Sequence, residues 1–266
     1  MNPVSHLSAQ AKRWLVGALA AMGVIGLGLA VVSEDVFTRE DMTVRDAGNL
    51  HFFISHRSPA LDEAAKVVSN IGAVGVLAVI AVVVGLVLWF RGERLAVALA
   101  PLVSLGLAGG VAAVVKALVG RSRPPVALRL VTETESSFPS GHATDSAALF
   151  LAVGLVVAAV VCRRPLARVV VLGLAGAAAL AVGLSRLVLG VHWPTDVLAG
   201  WGLGALVALA VTSTVLALPG GTARPGPEST RSARWRWRVM STLGRSRSLE
   251  AAPSRPRLTH RLVGEA

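Results

Sequence analysis

Six apolar stretches, each close to the roughly 20 residues that a helix needs to span a bilayer, run through this sequence at about 14–32, 67–90, 95–119, 143–161, 169–190 and 195–218. A backbone in lipid must satisfy its own polar groups, and long unbroken runs of this kind do so as helices. The pattern predicts an all-α fold, a polytopic membrane protein built as a six-transmembrane-helix bundle. Composition agrees: 15% of residues are charged and 54% hydrophobic, where a soluble domain carries about 25% charged residues. Gly and Ala are frequent inside the runs, which lets helix backbones approach closely in lipid.

The first run follows Lys12 and Arg13 and is followed by acidic residues, not by a small-residue cleavage site, so it reads as a retained signal-anchor helix. Residues 33–66 form a polar segment expected to be a loop, holding Glu34, Asp35, Glu40, Asp41, Asp46, Asp62 and Glu63. Ser58 before Pro59 reads as an N-cap with a first-turn proline, and Asp62 and Glu63 favour the positive end of a helix. The second helix therefore starts near Ser58 and projects beyond the bilayer before entering it. Phe52 and Phe53 either rest at the interface or pack inside the loop. Cys162, the single cysteine, excludes an intramolecular disulfide and reads as a small buried hydrophobe.

Arginine and lysine placement sets the orientation. Lys12 and Arg13, then Arg91 and Arg94, then Arg163, Arg164 and Arg168, and finally an Arg-rich tail all fall on one side of a six-helix path. That side is expected to be cytoplasmic, in a plasma (inner) membrane, with both termini inside and the loops at 33–66, 120–142 and 186–196 outside. The net charge of +11 then reflects retention charges and not nucleic-acid binding. Arg121, Arg123 and Arg129 break this charge rule, which hints at function. The chain divides into a membrane domain over 1–218 and a tail over 219–266, rich in Gly, Pro, Ser and Arg and expected to be disordered. Trp235 and Trp237 among its arginines suit either an interfacial segment or a solvated tail.

Polar residues interrupt the apolar pattern in three segments, each at an expected outer helix end. Lys116, Arg123 and Pro124 occupy the first. Pro139, Ser140, Gly141 and His142 form the second. Ser185, Arg186, His192 and Asp196 form the third. Pooled, they make a site for an anion. Guanidinium forks match phosphate oxygens and lysine adds a point charge. Ser140, Gly141 and His142 at a helix start would present backbone N–H groups and a favourable dipole. Gly141 allows close approach to the backbone. Pro194 suits a first helical turn, which places Asp196 to accept a hydrogen bond from one ring nitrogen of His192 and leaves the other free to attack phosphorus. His142 is positioned to protonate a leaving oxygen and then to activate water. Protein cations supply the charge stabilisation, so no metal or other cofactor is expected.

These segments resemble the signature of the type 2 phosphatidic acid phosphatase superfamily, which includes lipid phosphate phosphatases and vanadium haloperoxidases. The family pattern is Lys, six residues, Arg-Pro; then Pro-Ser-Gly-His; then Ser-Arg, five residues, His, three residues, Asp. All eleven positions match in order and spacing, over Lys116 to Asp196. The resemblance implies a phosphohistidine intermediate at His192, orientation by Asp196 and acid–base work by His142. It implies phosphate binding by Lys116, Arg123, Ser140, Gly141 and Arg186, with Pro124, Pro139 and Ser185 as structural support.

Singly, each residue has an ordinary reading. Lys116 snorkels, Ser140 caps, Gly141 turns, and Ser185 bonds to its own helix. A shared cluster is the better account of all of them at once. His6, His51, His56 and His260 lack spaced partners and read as surface residues. Trp193 fits an interfacial belt and Trp201 helix packing, while Glu133, Glu135 and Arg129 line the outer loop, placed to tune substrate access. The expected activity is hydrolysis of a membrane lipid phosphate or diphosphate, such as phosphatidic acid, phosphatidylglycerol phosphate or a polyprenyl diphosphate. Two alternatives stay open: phosphotransfer to an alcohol acceptor, and a non-catalytic anion- or lipid-binding membrane protein. A haloperoxidase is disfavoured, because spanning helices suit a lipid and not a soluble oxidant.

Overall fold

In the computed structural model, residues 9–38 and 41–217 are described. They form eight α-helices: α1 (Ala9–Thr38), α2 (Asp41–Ser55), α3 (Pro59–Ile71), α4 (Val74–Phe90), α5 (Leu95–Val119), α6 (Gly141–Val160), α7 (Pro165–Val188) and α8 (Pro194–Ala217). A single 3-10 turn lies at Val126–Leu128, and no strand occurs among the described residues. Five helices, α1 from Leu15 onward and α5 to α8, are long and apolar enough to cross a membrane. The α3–α4 pair makes a sixth span if counted as one, bent by 54°. The chain is thus an all-α polytopic membrane protein. The tail, His6 and His260 lie outside the described residues.

Two features differ from expectation. The polar segment at 33–66 is mostly helical. The first helix runs on to Thr38, α2 fills 41–55, and α3 begins at Pro59. Asp35 makes this possible: its carboxylate accepts the backbone N–H groups of Met42 (2.9 Å) and Thr43 (2.7 Å), capping the free donors at the start of α2. Hydropathy sees the polarity of α2 but not its helicity, since only one stripe, with Asp46 and Leu50, is buried. The second difference is the break between α3 and α4. Gly72 lies against Val182 of α7, where a side chain has no room.

The start of α3 follows the sequence. Ser58 Oγ accepts from Leu61 N at 3.3 Å, with Pro59 in the first turn and Asp62 behind it. Phe52 is exposed, while Phe53 packs beside Leu50 and Val188. Cys162 is half-buried and not fully enclosed.

The most enclosed helix is α6, packed against α5, α7 and α8. Its contact with α8 is backbone to backbone. A Cβ on Gly200 would meet Ser140 O at 2.8 Å and Ala143 Cβ at 2.9 Å, and one on Gly204 would meet Ala147 Cβ at 2.7 Å. Small residues four apart bring two helices this close. The outer faces carry exposed apolar side chains such as Val79, Val83, Phe90, Leu166 and Val169, as a lipid-facing surface requires. Trp201 donates its indole N–H to Ala179 O at 3.0 Å, tying α8 to α7.

Candidate active site

One end of the bundle gathers the last turns of α5 and α7, the first turns of α6 and α8, and the connections between them. The clamps are backbone bonds: Ser140 N to Asp196 O (3.0 Å), Ser137 N to Arg121 O (2.8 Å) and Leu130 N to Leu189 O (3.0 Å). Arg57, from the turn before α3, donates Nε to Val188 O (2.7 Å) and Nη2 to Leu128 O (2.9 Å). Gly190, at φ +69°, turns the chain sharply from α7 toward His192, a conformation that suits glycine.

A cavity of about 410 Å³ opens here, and its lining includes Lys116, Arg123, Glu133, Gly141, His142 and His192. Lys116 Nζ donates to Ser136 O at 2.6 Å and lies 3.9 Å from a Glu135 carboxylate oxygen. Arg123 donates Nε to Glu135 O (2.7 Å) and Nη1 to Val191 O (2.9 Å). The same Nη1 lies 3.1 Å from His192 Nε2, and Nη2 lies 3.4 Å from Glu133. Arg186, 2% exposed, pairs directly with Glu133 and donates Nη1 to Ser69 Oγ at 2.5 Å. Its Nε is buried without a partner among the described residues. Burial would raise the Glu133 carboxyl, but Arg186 and Arg123 outweigh it and hold the group below its ordinary value. The His142 ring makes no hydrogen bond among the described residues.

His192 is 1% exposed and Asp196 fully buried. His192 Nδ1 lies 3.4 Å from Asp196 Oδ2, which also accepts Trp193 N (2.8 Å) and the Ser137 hydroxyl. Arginine cannot give up its proton, so a hydrogen bond from Arg123 to Nε2 makes that nitrogen the acceptor and Nδ1 the N–H. Burial pushes the His192 imidazole down to about 4, with Asp196 pulling the other way. The ring is therefore neutral at ordinary pH.

Of the remaining expected residues, Gly141 lines the cavity, whereas Ser140, Pro124, Pro139 and Ser185 are not part of its lining. Ser140, at the N-cap of α6, makes no side-chain cap bond, and its buried hydroxyl has no partner among the described residues. Gly141 leaves room beside Lys116 Cε, 3.8 Å from where a Cβ would stand. The Pro124 carbonyl accepts Arg129 Nε at 2.7 Å, and Pro139 is buried after a cis peptide bond from Phe138. Ser185 bonds to Val182 O at 2.6 Å within its own helix. Trp193 is more than an interfacial residue, because its indole N–H donates to Ser122 O at 2.9 Å.

Sequence reasoning passed over four neighbours of this site. Ser137 and Ser69 contact it as described. Arg121 donates to Asp196 Oδ1 (2.6 Å), Thr195 Oγ1 (2.7 Å) and Asp46 Oδ2 (2.7 Å). Asp46, on α2, also accepts Thr195 N (3.0 Å) and Thr195 Oγ1 (2.5 Å). Arg121 carried a signal, as a basic residue breaking the charge rule; Asp46 carried none.

The PAP2 superfamily model matches residues 97–218, which include every residue of the cavity except those on α4. Phosphatidylglycerophosphatase B of Bacillus subtilis is 32% identical over 151 residues, covering 57% of this chain and 73% of that protein. A decaprenylphosphoryl-5-phosphoribose phosphatase of Mycobacterium tuberculosis is 38% identical over 110 residues, 40% of this chain and 55% of that protein. The crystal structure of a transmembrane PAP2 type phosphatidylglycerolphosphate phosphatase from Bacillus subtilis superposes with a TM-score of 0.66 at 27% identity, over 73% of this chain and 94% of that one.

Proposed function

This chain belongs to the PAP2 superfamily, and on that footing we propose that it hydrolyses a lipid phosphate through a phosphohistidine at His192. The observation that carries the reading is the orientation of that imidazole. Its Nδ1 faces a buried carboxylate, and its Nε2 faces the Arg123 guanidinium at a cavity that Lys116 and His142 also line. The relatives named above are phosphatases of membrane lipids with a phosphorylated headgroup, by their names. The cavity lining runs from the two histidines out to Val74, which is 63% exposed among the apolar helix faces. A lipid can therefore keep its tail in the bilayer while its phosphate meets the cations.

In this reading Lys116, Arg123 and Arg186, with the α6 N-terminus and the Ser140 hydroxyl, grip the phosphoryl oxygens. A phosphate also replaces Arg123 as the partner of Nε2. The Nε2 lone pair then attacks phosphorus, and the phosphorus–oxygen bond to the alcohol breaks. The departing electron pair takes a proton from His142. The Nδ1–H bond to Asp196, long at 3.4 Å, shortens as the ring becomes positive. Water next gives a proton to His142 and attacks phosphorus. The phosphorus–nitrogen bond breaks, its electron pair returns to Nε2, and inorganic phosphate leaves. The charge at phosphorus is met by protein cations throughout, which supports a metal-independent reaction.

The membrane phosphatase domain is proposed to extend to residue 218, where the family match ends, with 219–266 as a cytoplasmic tail. The active site is proposed to face outward, opposite the Arg-rich connections at 91–94 and 163–168. The test is a panel of lipid phosphates and diphosphates with protein purified in detergent, with EDTA present. Wild type releases phosphate and is inhibited by vanadate, which mimics five-coordinate phosphorus. His192→Ala loses about a thousandfold or more. Phosphate release that survives His192→Ala, or that EDTA abolishes, overturns the mechanism. Adding excess alcohol and seeking a phosphorylated product separates hydrolysis from phosphotransfer.

A further inference from the structure

We propose that Arg121 is a positioning residue for this site, and that Asp46 on the extramembrane helix α2 sets how much of the Arg121 charge reaches Asp196. The inference rests on the phosphatase reading, because it concerns the carboxylate that orients His192.

Arg121 does not touch the catalytic cavity. It lines a separate cavity of about 490 Å³ with Asp46, Thr43, Phe37, Ser122 and Trp193, and the two cavities share no lining residue. Its guanidinium lies 5.9 Å from the centroid of the Trp193 ring. From there it reaches Asp196 Oδ1 at 2.6 Å, while the His192 side of the carboxylate, Oδ2, is held by Ser137 and Trp193 N. Arg121 thus acts on the site from behind, with Asp196 as its direct link to His192.

The other half of the device is Asp46. It is 2% exposed, and burial pushes its carboxyl above the ordinary value while Thr195 and Arg121 pull it back. One guanidinium therefore bridges two buried carboxylates, at 2.6 and 2.7 Å. The trio carries a net charge of −1 behind His192. That residual charge steadies a ring that turns positive when it is phosphorylated, and the fork fixes the carboxylate plane. The charged and titratable groups around Asp196 are Arg121, Arg123 and His192 from the connections, Lys116 from α5, and Asp46 from α2. Asp35 of α1 acts on Arg121 from the far side.

Removing Arg121 leaves two buried carboxylates sharing the Thr195 neighbourhood, and one of them must take a proton. Asp196, without its Arg121 partner and beside Asp46, then holds its charge less readily, and His192 loses its acceptor at a higher pH than in wild type. Removing Asp46 as well takes away the competing charge. The two positions are therefore coupled, and a shift of the acid limb of kcat at unchanged KM is the part of that coupling that plain structural damage does not produce.

The experiment measures kcat, KM and the pH dependence of kcat for Arg121→Gln, Asp46→Asn and the double variant in detergent, on the lipid wild type hydrolyses best. R121Q is expected to lower kcat by about a hundredfold, to leave KM within about twofold, and to move the acid limb of kcat to higher pH. D46N costs less than about tenfold. The double variant is expected to regain about tenfold in kcat over R121Q and to shift the acid limb back. A double variant no better than R121Q, or a loss in R121Q that falls on KM with an unmoved acid limb, overturns the proposal. If R121Q does not yield folded protein, Arg121→Lys with and without D46N reads the same coupling, since the ammonium freed from Asp46 can serve Asp196. Failure of the phosphatase reading looks different: wild type releases no lipid phosphate, or His192→Ala retains activity.

Discussion

Glu133 is ion-paired to Arg186, with Arg123 3.4 Å from its second oxygen, so a carboxylate of the protein sits among the cations proposed for the substrate phosphate. The arrangement resembles a weakly held product: an anion with two acceptor oxygens facing two guanidinium groups. A substrate has to displace it, and the 23% exposure of Glu133 gives the side chain room to leave.

Glu133→Gln is expected to tighten inhibition by vanadate or inorganic phosphate by about tenfold, because the competing charge is gone. The same change leaves Arg186, 2% exposed, without its counter-charge. Breaking a buried pair in this way costs about 3 kcal/mol. The unfolding midpoint in detergent should fall without anion and recover with vanadate. An unchanged midpoint and unchanged inhibition would show that Glu133 does not compete.

Among the described residues His142 lines the cavity without a hydrogen-bond partner, as a group reserved for the leaving oxygen and then for water would. With a lipid substrate, His142→Ala should slow both half-reactions by about a hundredfold or more. With p-nitrophenyl phosphate, whose leaving group needs little protonation, only the second step suffers. Phosphohistidine should then accumulate, as acid-labile, base-stable label on the protein. Absence of label from both the variant and wild type would count against the covalent step.

Acid should weaken the fold through His192. Its folded value of about 4 lies below the ordinary 6.5, so between these values the unfolded chain binds the proton and the folded chain does not. Stability therefore falls as pH drops from 6.5 toward 4, by about 3 kcal/mol in full, and is regained as pH rises. Unfolding midpoints across that window should show the slope, and His192→Gln should reduce it. Activity limited by protonation of free His192 should hold down to the lower end of the window.

The close seat of α8 on α6 makes Gly204 intolerant. A methyl group there meets Thr144 O and Ala147 Cβ, and overpacking of this kind costs about 1–3 kcal/mol. Gly204→Ala should lower the unfolding midpoint and also the rate, since α6 carries His142 and α8 follows His192. Gly176→Ala on α7 has nothing within 4 Å and serves as the control, with both quantities unchanged.

The site was legible where residue type and spacing along one helix end decide it. Pro194 starting α8 with Asp196 in its first turn, and Arg186 in the last turn of α7, follow from local rules. Three arginines in one connection did not separate that way. Arg123 faces His192, Arg121 faces Asp46 and Asp196, and Arg129 only braces its own loop through Pro124 O and Glu133 O. Glu133 and Glu135 look alike in sequence, yet one is 23% exposed and the other 75%. Such divisions depend on how the connections fold over one another, which no periodicity encodes. The helix α2 was missed for a related reason: its N-terminal cap comes from Asp35 on the preceding helix, and its buried stripe is only partly apolar.

The bend between α3 and α4 has a mechanical meaning. Ser69, the hydroxyl partner of Arg186, precedes the bend, whereas the apolar length of the span follows it. A straight rod would carry Ser69 along the direction of α4. The 54° turn instead lays α3 against α7, where the Ser69 hydroxyl meets the Arg186 guanidinium.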